Sequence, residues 1–241
     1  QSARNGKLPV QFNHTNRSDA VIVGGYGKLD LIQNTDRLRI LDALGVTHIL
    51  DRTENQSDQE TFPPSRFEQE KQFDGWTVMY NKNTASRFFL TTNIDTYSSK
   101  EEFEKKFFDP KFRPDTTILL EKNPLRSTQS FTTQPSIFLV SYLPNTVAFR
   151  TTTDIESVLF LSDTYAPGWN AYVDGVPSQI LKAQYAFRAV LVPSGNHTVV
   201  FSYEPFSFTL GKWISIVSLF GVLTISTFII SKKRYSRPIL Q

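Results

Sequence analysis

Apolar and polar residues alternate along the second half of the chain with the period of two that is typical of β-strands. Val199, Phe201 and Tyr203, for example, are spaced so that they fall on one face of such a strand. The alternating segments are short, and turn residues separate them at close intervals. This pattern is typical of two packed antiparallel sheets, so we predict an antiparallel β-sandwich over residues 136–205.

A turn-rich stretch lies near the middle of the predicted sandwich. Pro167-Gly168 indicates one turn, and Asp174-Gly175 indicates a two-residue hairpin between Val173 and Val176. A type I′ hairpin needs positive φ at both central residues, which Asp-Gly accommodates well. The stretch therefore predicts a strand, a turn, a second strand and a tight hairpin.

The first half of the chain combines helical and extended patterns. Asp36 can cap a helix in which Leu38 and Leu41 share a face, and Gly45 is a typical helix end. A second helix is expected after Ser98 or Ser99, and the prolines that follow it are expected to end it. Strands are expected at 46–50, 76–80, 88–92 and 116–121, a loop at 51–75 and a linker at 123–135.

These elements give a predicted organisation of the whole chain. The fold class is α+β, with a small N-terminal α/β unit, an antiparallel β-sandwich and one C-terminal transmembrane helix. The predicted boundaries are an irregular segment at 1–35, the α/β extracytoplasmic domain at 36–122, the sandwich at 136–205, the membrane helix at 213–230 and a basic cytoplasmic tail at 231–241.

The membrane helix is predicted from the run between Trp213 and Ile230, which contains no charged residue. At about 1.5 Å per residue the run is about 27 Å long, close to the thickness of the hydrocarbon core. Basic residues follow it at Lys232, Lys233, Arg234 and Arg237. The positive-inside rule then places the C-terminus in the cytoplasm and residues 1–212 outside it.

The charge balance argues against a nucleic-acid partner. The formal net charge is +3, with 26 basic and 23 acidic residues, but four of the basic residues lie in the C-terminal tail. The rest of the chain is nearly neutral and shows no basic face. The chain has no cysteine, begins with Gln1 and has Met79 as its one methionine, so we expect a fragment or a processed product.

Few residues indicate catalysis. His14, His48 and His197 are isolated, so no metal ligand and no cofactor-binding residue is predicted. Asp163 and Asp174 could form the acid/base pair of a glycosidase, but each is more simply explained by an Asx turn at the end of a strand. Arg188 is expected to bind a carboxylate or loop carbonyl groups.

Aromatic residues surround the Pro-Gly turn and could form a sugar-binding surface. In that interpretation Tyr165 and Tyr172 stack on sugar rings, while Asp163 and Asn170 bind the hydroxyl groups. The alternative is that these aromatic side chains fill the core. Strand alternation favours a buried Trp169 and places Tyr172 on the opposite face. Trp169, Asp174, Gly175 and Arg188 are therefore expected to be structural.

Several short motifs resemble the extracytoplasmic C-terminal region of YfhO-type bacterial membrane proteins. They are Leu161-Ser-Asp-Thr-Tyr165, Pro167-Gly-Trp169, Tyr172-Val-Asp-Gly175, Tyr185-Ala-Phe-Arg-Ala-Val190, Pro193-Ser-Gly-Asn-His197 and Tyr203-Glu-Pro205. A weaker resemblance covers residues 41–50 together with Tyr80 and Arg87. The family resembles multi-pass glycosyltransferases that use lipid-linked sugar donors.

The resemblance implies transfer of a sugar from a lipid-phosphate donor to a cell-envelope acceptor in the bacterial cell membrane. The implied partners are the lipid bilayer, a lipid-linked sugar and a cell-envelope glycan. Transferases of this architecture carry their catalytic acids in an early extracytoplasmic loop, so no catalytic residue is assigned in this chain. The alternative is a non-enzymatic, membrane-anchored surface protein with a carbohydrate-binding or structural β-sandwich.

Overall fold

The computed structural model describes residues 35–57, 59, 61–126 and 129–235. The irregular segment predicted at 1–35 lies outside the described residues except for its last residue, and so do His14 and the end of the tail at 236–241. The described residues form a mixed α+β structure that is mostly β-sheet, which confirms the predicted fold class.

Three α-helices and one short 3₁₀ turn occur in the described residues. The helices are α1 (Thr35–Ala43), α2 (Lys100–Phe107) and α3 (Phe206–Tyr235), and the 3₁₀ turn is Thr53–Asn55. The Oγ atom of Ser99 caps α2 by accepting a hydrogen bond from the backbone N–H of Glu102 at 3.2 Å. Both α1 and α2 therefore begin close to where the capping residues predict.

Fourteen strands form three sheets in the described part of the chain. The strands are β1 (His48–Arg52), β2 (Phe67–Phe73), β3 (Trp76–Asn81), β4 (Phe88–Thr91), β5 (Ile94–Thr96), β6 (Ile118–Leu120), β7 (Ser136–Leu143), β8 (Thr146–Thr153), β9 (Ser157–Thr164), β10 (Trp169–Val173), β11 (Val176–Ser178), β12 (Ile180–Ala183), β13 (Phe187–Val192) and β14 (Gly195–Tyr203). The sheet orders are β1-β3-β2, β11-β10-β14-β8-β7 and β4-β9-β13-β12-β6-β5.

The five-stranded and six-stranded sheets pack face to face around one apolar core. Phe149 and Phe201 enter this core from the five-stranded sheet, and Leu159 and Val190 enter it from the six-stranded sheet. All four side chains are fully buried. The alternation seen in the sequence therefore marks the inner faces of a β-sandwich.

Strands from both predicted units complete the six-stranded sheet. Leu90 of β4 pairs with Leu159 of β9, and Leu120 of β6 pairs with Ala183 of β12. Helix α2 covers the sheet and buries Phe103 against Leu119. The units predicted at 36–122 and 136–205 thus share one hydrogen-bonded sheet.

The loop predicted over residues 51–75 is wrong for its second half. Residues 67–73 form β2, which pairs with β3 through an Asp74-Gly75 turn. All of β2 after Phe67 is exposed to solvent, so it lacks the apolar alternation that predicts a strand. Its pairing depends on backbone hydrogen bonds and the turn, and a polar strand of this kind resembles a loop in sequence.

Strand β7 forms one edge of the five-stranded sheet and is mostly apolar. The exposed side chains on it include Phe138, Val140 and Leu143. A bulge between Leu139 and Ser141 interrupts its pairing with β8. The free edge of β7 has no charged residue, although charges are a common protection for exposed edges.

Helix α3 follows β14 after only two residues. Its segment Phe206–Phe228 is long and apolar enough to cross a membrane, and none of it is buried against the rest of the described chain. The predicted span at 213–230 lies within α3, which starts seven residues earlier. The first five residues of the predicted tail at 231–241 continue the helix, which ends at Tyr235.

Candidate functional site

The end of the sandwich from which α3 emerges contains the polar cluster of greatest interest. Trp169, the first residue of β10, pairs with Tyr203, the last residue of β14. The backbone N–H of Tyr203 also donates to the carbonyl oxygen of Asn145 at 2.9 Å. We call the end formed by Asn145, Trp169 and Tyr203 the helix-proximal end.

Asp163 lies at this end and holds two arginine side chains. Its Oδ2 atom accepts from Nη2 of Arg188 at 2.9 Å, and its Oδ1 atom accepts from Nη2 and Nε of Arg87 at 2.7 Å and 3.2 Å. The hydroxyl of Tyr142 also donates to Oδ2, at 3.3 Å. Both carboxylate oxygens are therefore occupied by side chains. The backbone N–H of Tyr165, which an Asx turn would direct at Asp163, donates to the carbonyl oxygen of Ala186 at 2.7 Å, so the Asx turn predicted for Asp163 is wrong.

Arg188 is buried between the two sheets. Its side chain is 2% exposed, and the central carbon of its guanidinium lies 3.8 Å from the ring centroid of Trp169 and 5.3 Å from that of Phe201. Its Nε and Nη1 atoms have no hydrogen-bond partner among the described residues. Burial lowers the pKa of Arg188, and the charge of Asp163 opposes that shift. Of the two kinds of partner expected for Arg188, a carboxylate or loop carbonyl groups, the structure shows a carboxylate.

Arg87 forms the exposed side of the cluster. Its side chain is 51% exposed, compared with 12% for that of Asp163. The guanidinium carbon of Arg87 lies 4.5 Å from the ring centroid of Tyr142, and its Nη2 atom also donates to the Tyr142 hydroxyl. Burial alone would lower the pKa of Arg87, but the hydrogen bonds and charge of Asp163 raise it. Two cations thus surround one anion, and the outer cation is accessible.

Trp169 covers the inner side of the cluster. It is partly buried against the core, shares its strand face with the buried Ala171, and packs against Tyr203 with ring centroids 5.3 Å apart. The predicted inward orientation of Trp169 agrees with these contacts. Trp169 thereby fixes the guanidinium plane of Arg188 from one side while Asp163 binds its edge.

The residues proposed from the sequence to bind glycan do not form one group. Asn170 and Tyr172 lie on the outer face of β10, where Nδ2 of Asn170 and the hydroxyl of Tyr172 each donate to Oε2 of Glu204 at 3.3 Å. Tyr165 is exposed on the loop after β9. Asp163 instead belongs to the arginine cluster between the sheets, so the glycan-binding role of this set stays a prediction.

Asp174 and Gly175 form the predicted hairpin. Their φ angles are +51° and +79°, as a type I′ turn requires. Asp174 accepts from the backbone N–H of Thr198 at 2.8 Å, and its other carboxylate oxygen lies 2.6 Å from Nδ1 of His197. Asp174 is in the five-stranded sheet at the far end of β10, whereas Asp163 is in the six-stranded sheet. This placement does not bring the two carboxylates together as an acid/base pair.

The pair of His197 and Asp174 predicts a pH-dependent stability. The bond to Asp174 and the carbonyl of Ser194 raise the pKa of His197. The contribution of protonated His197 to folding stability is therefore fully present below about pH 6.5, the pKa of an unperturbed histidine. It is lost as the pH rises through the higher pKa of the folded state. Thermal unfolding of the full chain between pH 5 and 9, in neutral detergent, should show this decline.

A matched pair of variants tests the assignment. His197→Asn should remove the decline in melting temperature, whereas His48→Asn should retain it, because His48 lies outside this pair and contacts Glu70 on the exposed surface. A pH profile that is the same in His197→Asn and in the parent chain would contradict the role of this pair.

Sequence reasoning missed Tyr142 in the cluster and Glu204 on the outer face of β10, and it treated Arg87 only as part of a resemblance. A single carboxylate in an otherwise apolar strand was the available signal, since a buried charge needs a partner. Nothing in the sequence indicated which cation would supply it. In the described residues no group of three or more His, Cys, Asp or Glu side chains is arranged to hold a metal ion.

One comparison with known proteins agrees with the family resemblance. Residues 125–215 match the family model described as bacterial membrane protein YfhO. No match was found among curated proteins or among solved structures. The matched region contains strands β7 to β14, Asp163, Arg188, Trp169 and the first residues of α3. Residues 125–215 of this chain therefore carry the sequence pattern of the YfhO family of bacterial membrane proteins.

Proposed function

We propose that this chain is the C-terminal part of a multi-pass membrane glycosyltransferase that moves a sugar from a lipid-phosphate donor to a cell-envelope acceptor. The observation that carries the proposal is the match of residues 125–215 to a bacterial membrane protein family. The structure adds a β-sandwich joined by two residues to a helix that can span the bilayer. A sandwich in this position can cover a reaction that takes place at the membrane surface.

The role proposed for the described residues is substrate positioning. The helix-proximal end presents an exposed arginine, a tyrosine and a tightly held carboxylate next to the start of α3. These groups can bind polar parts of a lipid-linked substrate. The catalytic acids are assigned to another part of the whole protein, as the family resemblance implies, so Asp163 is given a positioning role.

The proposed function predicts sugar transfer by the full-length protein that contains this chain. Membrane vesicles with the protein should transfer label from one member of a panel of lipid-phosphate sugars to envelope polymer, and vesicles from a deletion strain should not. The measurement is incorporation of radiolabelled sugar into acid-insoluble material. Tyr172→Ala on the outer face tests the rival role, because an anchored glycan-binding protein would lose polymer binding in this variant.

Two results would contradict the transferase proposal. One is the absence of transfer with every donor from vesicles in which the full-length protein is intact and folded. The other is glycan binding without sugar transfer, in which Tyr172→Ala abolishes the binding and leaves the melting temperature unchanged. The second result would assign the sandwich to binding alone.

A topology prediction accompanies the proposed function. We expect the loop between β1 and β2 to lie outside the cytoplasm and a tag placed after Gln241 to lie inside, because basic residues flank the C-terminal end of α3. Protease added to intact spheroplasts should therefore cut within residues 53–66 and spare the tag. Loss of the tag together with an intact loop would reverse this orientation.

A further inference from the structure

We propose that Arg87, held by Asp163 and Tyr142 at the helix-proximal end, binds the phosphate group of a membrane lipid. This inference deepens the proposed function, because a lipid phosphate is the group that such a donor would present at the membrane surface. It assigns that group to a residue of this chain and gives Asp163 and Tyr142 the task of positioning Arg87.

The first argument is the charge of the cluster. One carboxylate, that of Asp163, is shared by the guanidinium groups of Arg87 and Arg188. Because arginine remains protonated in proteins, the three groups together carry one excess positive charge. An anion that reaches the cluster therefore balances the positive charge that Asp163 alone does not neutralise.

The second argument is access. The carboxylate of Asp163 and the guanidinium of Arg188 are largely covered, and the side chain of Arg87 is half exposed. An approaching anion consequently meets Arg87 and not the carboxylate behind it. The Nη1 atom of Arg87 has no protein partner among the residues that the structure describes, so its N–H groups are available.

The third argument is preorganisation. Two nitrogen atoms of Arg87 are bound to Asp163, and the Tyr142 ring lies against its guanidinium plane. A free surface arginine loses rotational freedom when it binds an anion, but Arg87 has already lost much of that freedom. Its planar group can then donate to phosphate oxygen atoms with little further ordering.

The fourth argument is the surrounding surface. Leu143 and Tyr203 are exposed at the same end of the sandwich, and Phe206, at the start of α3, is 78% exposed. Exposed aromatic and apolar side chains beside a spanning helix are typical of the membrane–water interface. The site thus lies where lipid phosphate groups are found, which favours a lipid over a soluble phosphate as its occupant.

The test is lipid binding by the full chain in neutral detergent, resolved by native mass spectrometry. The probes are dioctanoyl phosphatidic acid, dioctanoylglycerol without the phosphate, and inorganic phosphate. We expect saturable binding of phosphatidic acid only. Arg87→Gln should weaken it about tenfold or more, as expected for the loss of charge-assisted hydrogen bonds, and Arg87→Lys should weaken it less.

Arg113→Gln is the matched control, because Arg113 is also an exposed arginine bound to one carboxylate, that of Asp115. It should bind phosphatidic acid as the parent chain does. Equal binding by Arg87→Gln and the parent, at an unchanged melting temperature, would overturn the proposal. Equal binding of inorganic phosphate and phosphatidic acid would overturn the lipid assignment.

The outcome is independent of the transfer assay, since lipid binding is measured without a sugar or an acceptor. Binding that depends on Arg87, together with no transfer, would reject the proposed function and keep this site. Transfer by a protein whose Arg87→Gln variant binds phosphatidic acid normally would keep the function and reject the site.

Discussion

Replacing Asp163 by alanine should lower the free energy of unfolding by about 3–5 kcal/mol, the usual cost of removing one partner of a buried ion pair. The reason is Arg188, whose side chain is 2% exposed and would remain charged in the core without a carboxylate. Arg87 contributes less to the loss because its exposed guanidinium can be hydrated by solvent. Urea unfolding of the full chain in neutral detergent, followed by tryptophan fluorescence, measures the change.

The companion variants separate charge burial from packing. Arg188→Met removes the buried cation and leaves Asp163 bound to Arg87, so it should destabilise the protein less than Asp163→Ala. The double variant that combines Asp163→Ala with Arg188→Met should be more stable than Asp163→Ala alone, because it no longer contains an unpaired buried charge. A loss below about 1 kcal/mol for Asp163→Ala, the level of an exposed pair, would contradict the burial argument.

Gly168→Ala is the second substitution with a large expected effect. Gly168 has a φ of +96°, and an added Cβ atom would lie 2.9 Å from the Tyr203 ring and 3.1 Å from Cβ of Pro205. Backbone strain costs about 1–3 kcal/mol and overpacking a similar amount, so we expect a loss of about 3 kcal/mol or more. Two of the three nearest atoms belong to Pro205, which lies in the two-residue connection between β14 and α3.

Gly175→Ala is the control for Gly168→Ala. Gly175 also has positive φ, at +79°, but nothing lies within 4 Å of an added Cβ atom. It should therefore show only the conformational cost, about 1–2 kcal/mol. Equal losses for both variants in the same urea titration would mean that contacts with Tyr203 and Pro205 do not constrain Gly168.

Turn dipeptides and helix-capping residues predicted the elements whose ends depend on neighbouring residues in the sequence. The Asp174-Gly175 hairpin follows from the φ angles that the dipeptide accommodates, and α2 begins at its serine cap. The same dipeptide at Asp74-Gly75 ends β2, but the exposed, charged strand before it concealed the hairpin. Turn chemistry was thus the more reliable signal where apolar alternation was absent.

The cluster itself could not be predicted from local signals. Asp163 lies 76 residues from Arg87 and 25 residues from Arg188 along the chain, and adjacent strands bring the three together. Sequence spacing carries no information on which strands become neighbours. By contrast, the inward Trp169 and outward Tyr172 follow directly from the period of two along β10, and the structure places both as that period requires.

The strand order of the five-stranded sheet has a consequence for how the protein is made. Strand β14 is the last strand of the sandwich in sequence, yet it occupies the centre of the sheet, between β10 and β8. During synthesis, β8 and β10 cannot complete their pairing with β14 until residue 203 has been added to the chain. Pairing of this kind is slow and leaves apolar faces exposed. The sandwich therefore cannot close before synthesis has almost reached the membrane helix, which begins three residues later.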